Sequence, residues 1–463
     1  VNFNPVTATA PQSSTGLYVC VGTRPEIIKM APVIDALQRS GVRPVVVHTG
    51  QHADLAWPLY DYFGLTPDIE LKREPDSRTL ASLSAGLLGS LDAVLADSPP
   101  RAVVVHGDTT TAAMAALSAF YRGIPVAHVE AGLRSHRLDD PFPEEFNRSL
   151  IARVARWHFA PTEHAVRNLY REGVEPDQTF LVGNTIVDAT LRALARQEAR
   201  LAGIGPGDPG SKQENPSGPR APRYPHTRNV LVTLHRRENW GEPIAAMARA
   251  VFALVQAHAD LQVIWPLHAN PELAQQVREQ LSQSNPEVRR RCHLLAPLDY
   301  PDLIEVLSEA WLVITDSGGL QEEACALKVP VLVARQGTER PELIEVGAGR
   351  LVGTDPLNLI REFERIWRDP ARYQAMRAVS NPFGDGRASE RIAAVLTEWL
   401  NGHSVHVKHS GLEPSRVAAS WRVPPLTPRP EPRAAALLRP LPLTPSARHV
   451  GLELDQAART PIA

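Results

Sequence analysis

The chain has 463 residues, too many for one compact core and enough for two mid-sized domains. Its 49 Lys and Arg nearly cancel 51 Asp and Glu, which excludes a global field that would draw in nucleic acid or an anionic membrane and makes any anion binding local. Three widely spaced cysteines, Cys20, Cys292 and Cys325, form no CxxC pair; this argues against a metal knuckle or disulfide framework and suits a reducing, cytoplasmic location.

No uninterrupted apolar run reaches the roughly 18 residues of a membrane span, and the first residues lack the regions of a signal peptide, so no membrane insertion is expected. The 42 prolines, about 9% of the chain against a usual ~5%, concentrate over 201–228 and beyond His403. Both stretches lack a periodic apolar face and read as a disordered insert and a disordered, mildly basic tail over 403–463. His403, His406 and His409 recur there every third residue, and no metal site is assigned to them.

In chain order, residues 17–21 (LYVCV) read as a strand, followed by a helix with apolar Ile27, Ile28, Met30, Ala31 and Ile34. Strands follow at 45–48, at 102–106 before an Ala-rich helix, and at 125–129, 157–160 and 180–182, with helices over 147–156 and 163–172. After the insert the alternation restarts with strands at 230–234, 262–266, 293–296, 311–315 and 330–333. Continuous apolar runs bounded by Gly and Pro suit parallel strands buried on both faces, so two successive α/β units are expected. In such sheets ligands bind beyond the carboxyl ends of the strands, which directs attention to the loops there.

The first loop, Gly22-Thr23-Arg24-Pro25-Glu26, opens a helix carrying Lys29; Arg24, Lys29 and the first-turn amides suit a phosphate or carboxylate, although solvated basic residues on a capped helix would look the same. Gln51 and His52 follow the next strand. Asp108 and Glu130 stand at the ends of strands 102–106 and 125–129, and Glu144-Glu145 lie in a loop entering the helix that carries Arg148. Each carboxylate alone could be a helix cap, but three acidic loops at one sheet edge suit acid and base chemistry. In the second unit His235-Arg236-Arg237 could clamp a diphosphate, and His268 and Asn270 end the next strand. Ser317, Gly318 and Gly319 let amides approach a phosphate at a helix start, with Glu323 a turn beyond to accept ribose hydroxyls. The formal GxGxxG over 205–210 follows no strand and contains two prolines, so it is not a dinucleotide site; no Walker A or HExxH sequence is present.

Together the segments GTRPEIIKMAPVI, TGQH, HGDTTT, HVEAGLRS, FPEEFNRSL, VGNTIVDA, TLHRREN, DSGGLQEEA, TERPE, LVGTD and NPFGDGRAS resemble the UDP-N-acetylglucosamine 2-epimerase family in its non-hydrolysing bacterial branch. The resemblance implies an α/β fold of two Rossmann-like domains around a central cleft, glycosyltransferase-B-like. These would be an N-terminal domain over 15–182, completed by a C-terminal helix over 386–401, and a UDP-binding domain over 183–381. It implies reversible interconversion of UDP-N-acetylglucosamine and UDP-N-acetylmannosamine by elimination and re-addition of UDP through 2-acetamidoglucal, with no cofactor, no metal and a homodimer. Asp108, Glu130, Glu144 and His235 match the family's catalytic positions. Arg24, Lys29, Arg134, Arg236, His268, Asn270, Ser317, Gly318, Gly319, Glu323 and Arg340 are expected at the substrate. Gln51, His52 and Arg78 match a second, allosteric site. A hydrolysing epimerase is disfavoured by the intact TLHRREN segment, and a non-catalytic sensor by the three retained carboxylates.

Overall fold

The structure, a computed structural model, describes residues 16–51, 53–71, 79–202, 227–236 and 240–403. The tail beyond 403 and all but the ends of the insert lie outside the described residues; at those ends Leu201 still belongs to a helix and Arg228 already begins a strand. Among the described residues two all-parallel sheets form. The first holds β1 (Leu17–Val21), β2 (Val45–His48), β3 (Ile69–Glu70), β4 (Ala102–His106), β5 (Val126–Val129), β6 (Trp157–Ala160) and β7 (Thr179–Leu181), in the order β3-β2-β1-β4-β5-β6-β7. The second holds β8 (Arg228–Thr233), β9 (Leu261–Pro266), β10 (Cys292–Leu295), β11 (Leu312–Thr315), β12 (Val331–Val333) and β13 (Gly349–Leu351), in the order β10-β9-β8-β11-β12-β13.

Each expected strand is present within two residues, and β3 and β13 are additional. The central strands β1 and β4 are buried along their whole length, which is why they read as unbroken apolar runs. In both sheets the order reverses next to the first strand of the unit, between β1 and β4 and between β8 and β11. Such a switch point opens a crevice beyond the strand ends, so the topology of two Rossmann-like units itself places the sites.

Helices join the two sheets through one shared apolar cluster, beside separate clusters on each sheet. The helix Thr185–Leu201 packs against the helices Arg24–Arg39, Tyr300–Ser308, Gly318–Ala326 and Ala388–Leu400. Ile27, Ile34, Ile186, Leu320, Ile392 and Leu396 share a single buried cluster. The last helix returns to the first sheet: Trp399 packs edge-on against Trp157, and Arg101 donates to the Leu400 carbonyl.

Two expectations need correction. The helix expected over 147–156 is Glu144–Val154, so Glu144 and Glu145 occupy its first turn, where their charge complements the helix dipole. The sequence shows no membrane-length apolar run, yet the helix Leu80–Asp97 has the length and mean hydropathy (1.3) of one. Only three of its leucines are buried, so most of its apolar surface is not covered among the described residues. The helix is the crossover between parallel strands β3 and β4, burying Leu87, Leu91 and Leu95 against the helix Thr110–Tyr121, while its Asp92 pairs with Arg122.

Candidate active site

The first sheet's loops are built on buried hydrogen bonds. Gly22, just past β1, has no room for a side chain: an added Cβ would lie 2.1 Å from Thr49 Oγ1 and 2.5 Å from Thr111 Oγ1. Glu26 accepts from the backbone N–H groups of Gly22 (2.9 Å) and Thr23 (2.8 Å) and from the Thr23 hydroxyl (2.9 Å). It also accepts from Thr109 Oγ1 at 2.5 Å, so one buried carboxylate ties the loop after β1 to the loop that carries Asp108. Burial pushes Glu26 up to about 7 against the pull of these donors.

From there a chain of alternating charges runs across the cleft. Asp108 Oδ2 accepts from Arg148 Nε (2.8 Å) and pairs with Arg148 Nη2 (2.6 Å). The same guanidinium reaches Glu145 Oε2 (3.1 Å) and, in the second unit, Glu339 Oε2 (3.4 Å). Glu339 pairs with Arg340 (3.0 Å), Arg340 Nε donates to Glu322 (2.7 Å), and Lys29 lies 3.9 Å from Glu322 and 2.5 Å from Glu130. Buried charges persist when they are paired this way, because each lost hydration shell is replaced by an opposite charge. Glu130 has φ of +65°, a backbone state disfavoured for a non-glycine residue and retained here by its contacts. Burial alone would raise Glu130, but Lys29 leads the neighbours that hold it well below the usual carboxylate range. Burial outweighs neighbouring Glu130 at His106, which lies 3.3 Å from that carboxylate and is pushed down to about 4. Glu144, half-buried and near Asp108 and Glu339, is raised, burial being the leading cause.

The second sheet's edge is made differently. Fully buried Asp316 accepts from the backbone N–H groups of His235 and Arg236, both at 2.9 Å, and so folds the loop after β8 over the end of β11. His235 lies parallel to His268, centroids 5.8 Å apart. Thr315 Oγ1 accepts from Ser317 N (2.9 Å), turning the chain into the helix Gly318–Ala326, whose N-cap Ser317 makes no side-chain capping bond. A Cβ added at Gly319 meets no protein atom within 4 Å, so packing does not demand glycine there; the missing side chain leaves the amides open. Glu323, one turn on, is raised to about 7 by burial and by the neighbouring Glu322.

These two edges face the same comparison. The UDP-N-acetylglucosamine 2-epimerase family model matches residues 35–397, and the UDP-N-acetylglucosamine 2-epimerase of Salmonella typhimurium is 38% identical over 383 residues, 82% of this chain and 97% of that protein. The chain belongs to the UDP-N-acetylglucosamine 2-epimerase family. Among solved structures, the Neisseria meningitidis UDP-GlcNAc 2-epimerase bound to UDP-GlcNAc superposes with a TM-score of 0.74 at 37% identity, over 82% of this chain and 99% of that one. An S. aureus MnaA–UDP co-structure gives 0.71 at 35%, over 83% and 96%. A glycosyltransferase of kitacinnamycin, 14% identical with a TM-score of 0.54, shares the fold alone.

Within this epimerase-family fold the expected residues divide into several groups. Asp108, Glu130, Lys29 and Arg340 meet in the charge chain, with Glu144 beside it. Lys29 is committed to two carboxylates rather than left open to a phosphate. His235, Arg236, Ser317, Gly318, Gly319 and Glu323 gather beyond β8 and β11. Arg24 is half-buried in the helix start after β1. Asn270 spends its side-chain oxygen capping the helix Pro271–Ser282, and its N–H donates to exposed His268. Arg134 departs from its expected role: its guanidinium binds Glu172 bidentately (2.6 and 2.7 Å) and the Leu133 carbonyl, which makes it a brace between a strand end and a helix end. Gln51 accepts from the Thr111 hydroxyl (2.8 Å), while His52 and Arg78 lie outside the described residues. Arg148, Glu322, Glu339 and Asn184 were not among the expected site residues. A separate cavity of about 980 Å³ is lined by Leu181, Leu191, Val346 and the pairs His164–Glu345 and Arg391–Asp385, and by none of the strand-end carboxylates.

Proposed function

We propose that the chain interconverts UDP-N-acetylglucosamine and UDP-N-acetylmannosamine by elimination and re-addition of UDP. The observation that carries this reading is the meeting of two strand-end carboxylates, Asp108 and Glu130, and the helix-start carboxylate Glu144 with an open helix N-terminus across one charge-paired cleft. The C2 proton has no adjacent carbonyl to stabilise a carbanion, so direct removal and return is slow. Elimination avoids the carbanion: a base takes the C2 proton, its electron pair forms the C1=C2 bond, and the C1–O bond to the diphosphate breaks, giving 2-acetamidoglucal and UDP. In return, the diphosphate oxygen re-forms the bond at C1 and a proton is delivered to the opposite face of C2. The net change is inversion at C2 with no redox step.

Asp108, Glu130 and Glu144 supply the proton transfers. Raised Glu144 suits holding a proton and depressed Glu130 suits staying ionised, the separation that acid and base chemistry requires. The Gly318 and Gly319 amides, the Ser317 hydroxyl, His235, Arg236 and Arg24 hold the departing diphosphate, and Glu323 the ribose; Gln51 belongs to the start of an activating second substrate site. Substrate-bound and UDP-bound structures of relatives support nucleotide-sugar binding here. The three cysteines are free and buried, as suits a cytoplasmic enzyme. Exposed Phe120 (54%) and Tyr121 (66%) beside the apolar helix Leu80–Asp97 suit a homodimer contact.

The test is proton NMR of the protein with UDP-N-acetylglucosamine in D2O. Deuterium entering C2 as UDP-N-acetylmannosamine appears is the expected result. UDP accumulating in step with free N-acetylmannosamine would assign the hydrolysing reaction instead.

A further inference from the structure

We infer that Asn184 is a positioning residue that holds Glu130 in its working orientation through the side-chain amide, and that it does so from the crossing point between the two sheets. The inference rests on the epimerase reading above. Asn184 follows β7, is 2% exposed, and caps the helix Thr185–Leu201: its Oδ1 accepts from Ile186 N at 3.1 Å. Its Nδ2 donates to Glu130 Oε1 (2.9 Å) in the first unit and to Glu322 Oε1 (3.2 Å) in the second. Its backbone N–H donates to the Phe383 carbonyl (2.7 Å), where the chain returns toward the first sheet. Beside it Gly183, with φ of +95°, packs against Gly384 so closely that a Cβ on Gly384 would lie 3.1 Å from Gly183 Cα.

Capping does not account for this residue. Asp, Ser and Asn cap helices about equally well, because each needs only one side-chain oxygen. An amide is the cap that also carries a donor long enough to reach two carboxylates. Aspartate would place a third carboxylate against Glu130 and Glu322, and serine is too short to reach them. The other groups around Glu130 are charged or titratable: Lys29 from the helix Arg24–Arg39, His106 at the end of β4, Glu322 from the helix Gly318–Ala326, and Arg340 ahead of the helix Pro341–Glu345. Asn184 supplies a donor that does not titrate and is fixed by two backbone hydrogen bonds. Since Glu130 also sits in a disfavoured backbone state, such a fixed donor narrows the orientations its carboxylate can take.

The experiment compares Asn184→Ser and Asn184→Asp with the parent enzyme in pH-resolved steady-state epimerisation, alongside thermal unfolding. Both variants keep the cap, and Asn184→Ser, which adds no charge, should unfold closer to the parent's temperature than Asn184→Asp, whose carboxylate is buried against Glu130 and Glu322. Asn184→Ser should lower kcat roughly 10–10²-fold with KM within about threefold. It should also move the acid limb of the kcat profile to higher pH, because Glu130 loses a donor that favours its ionised form. Asn184→Asp should lose more and show an ionisation absent from the parent, since three adjoining carboxylates bind an extra proton. Parent-like kcat and pH profiles in both variants would reduce Asn184 to a cap and overturn the inference, as would failure of both to fold. If the parent itself does not epimerise the substrate, it is the functional reading that fails.

Discussion

The two sheet edges solve opposite problems with the same topology. At the first, Asp108, Glu130 and Lys29 are already satisfied by protein partners, from Arg148 to Glu322. At the second, the Ser317 cap makes no side-chain bond, Gly319 faces open space, and His235 and His268 reach the surface. A site whose charges are paired in advance costs little reorganisation when charge develops in a transition state. A site with open donors gains its partners from the ligand. On the proposed function, the comparison assigns the reaction to the first edge and binding to the second, with Arg148–Glu339 and Asn184 joining them.

The sharpest way to break this division is Glu144→Gln, a near-isosteric change on a half-buried side chain that removes a proposed proton-transfer group without adding volume. The expected outcome is a fall in kcat of about 10²–10⁴-fold, measured by NMR or coupled assay, with the UDP dissociation constant within about threefold of the parent by calorimetry. Equal losses in both would show that the two edges do not divide the work.

A smaller but still large effect should follow from Arg148→Met, which tests the junction. It leaves Asp108, Glu145 and Glu339 without their shared guanidinium. Removing one partner from a buried charge group costs about 3–5 kcal/mol, since the remaining carboxylates lie in the same desolvated cleft. Urea unfolding should register that loss. Arg122→Ala, which breaks an exposed pair with Asp92, should leave the unfolding curve in place. If both behave alike, the charge chain is a surface feature rather than a clamp between units.

How much of this was legible in the sequence follows the range of the interactions. Strands buried on both faces declared themselves as unbroken apolar runs, and their ends located Asp108, Glu130 and Ser317. β3 and β13, two and three residues long, are too short to carry a pattern, and they form because a neighbouring edge supplies their hydrogen bonds. The resemblance places Arg134 at the substrate; only the fold brings Glu172 under its guanidinium. Asn184, Arg148, Glu322 and Glu339 find partners in loops and helices far away in sequence, for example Glu130 and Glu322 at Asn184. The motifs VGNTIVDA, FPEEFNRSL, DSGGLQEEA and TERPE contained all four of them, but a motif states which residues recur together and not which atoms meet.

The smallest effect concerns Glu323 and sharpens the binding half of the comparison. Burial and Glu322 raise its carboxyl from an ordinary 4.5 to about 7, so near neutrality the unliganded protein holds a proton that the unfolded chain does not. A raised carboxyl is destabilising when ionised, so its share of stability falls as pH climbs from about 4.5 through 7. If Glu323 holds the ribose as proposed, the hydroxyls donate to its ionised form, so below about 7 binding must first expel that proton. Measured by calorimetry on the slowed Glu144→Gln variant with UDP, which carries the ribose and is not turned over, the dissociation constant should rise about tenfold for each pH unit below 7 and level off above it. Adding Glu323→Gln should weaken binding about tenfold at pH 8, as expected for losing hydrogen bonds to a charged acceptor, and should flatten the slope below 7. A slope that survives the substitution would move the titrating group elsewhere, first to His235, whose net shift is downward under burial, and would leave Glu323 a buried acid that the nucleotide does not use.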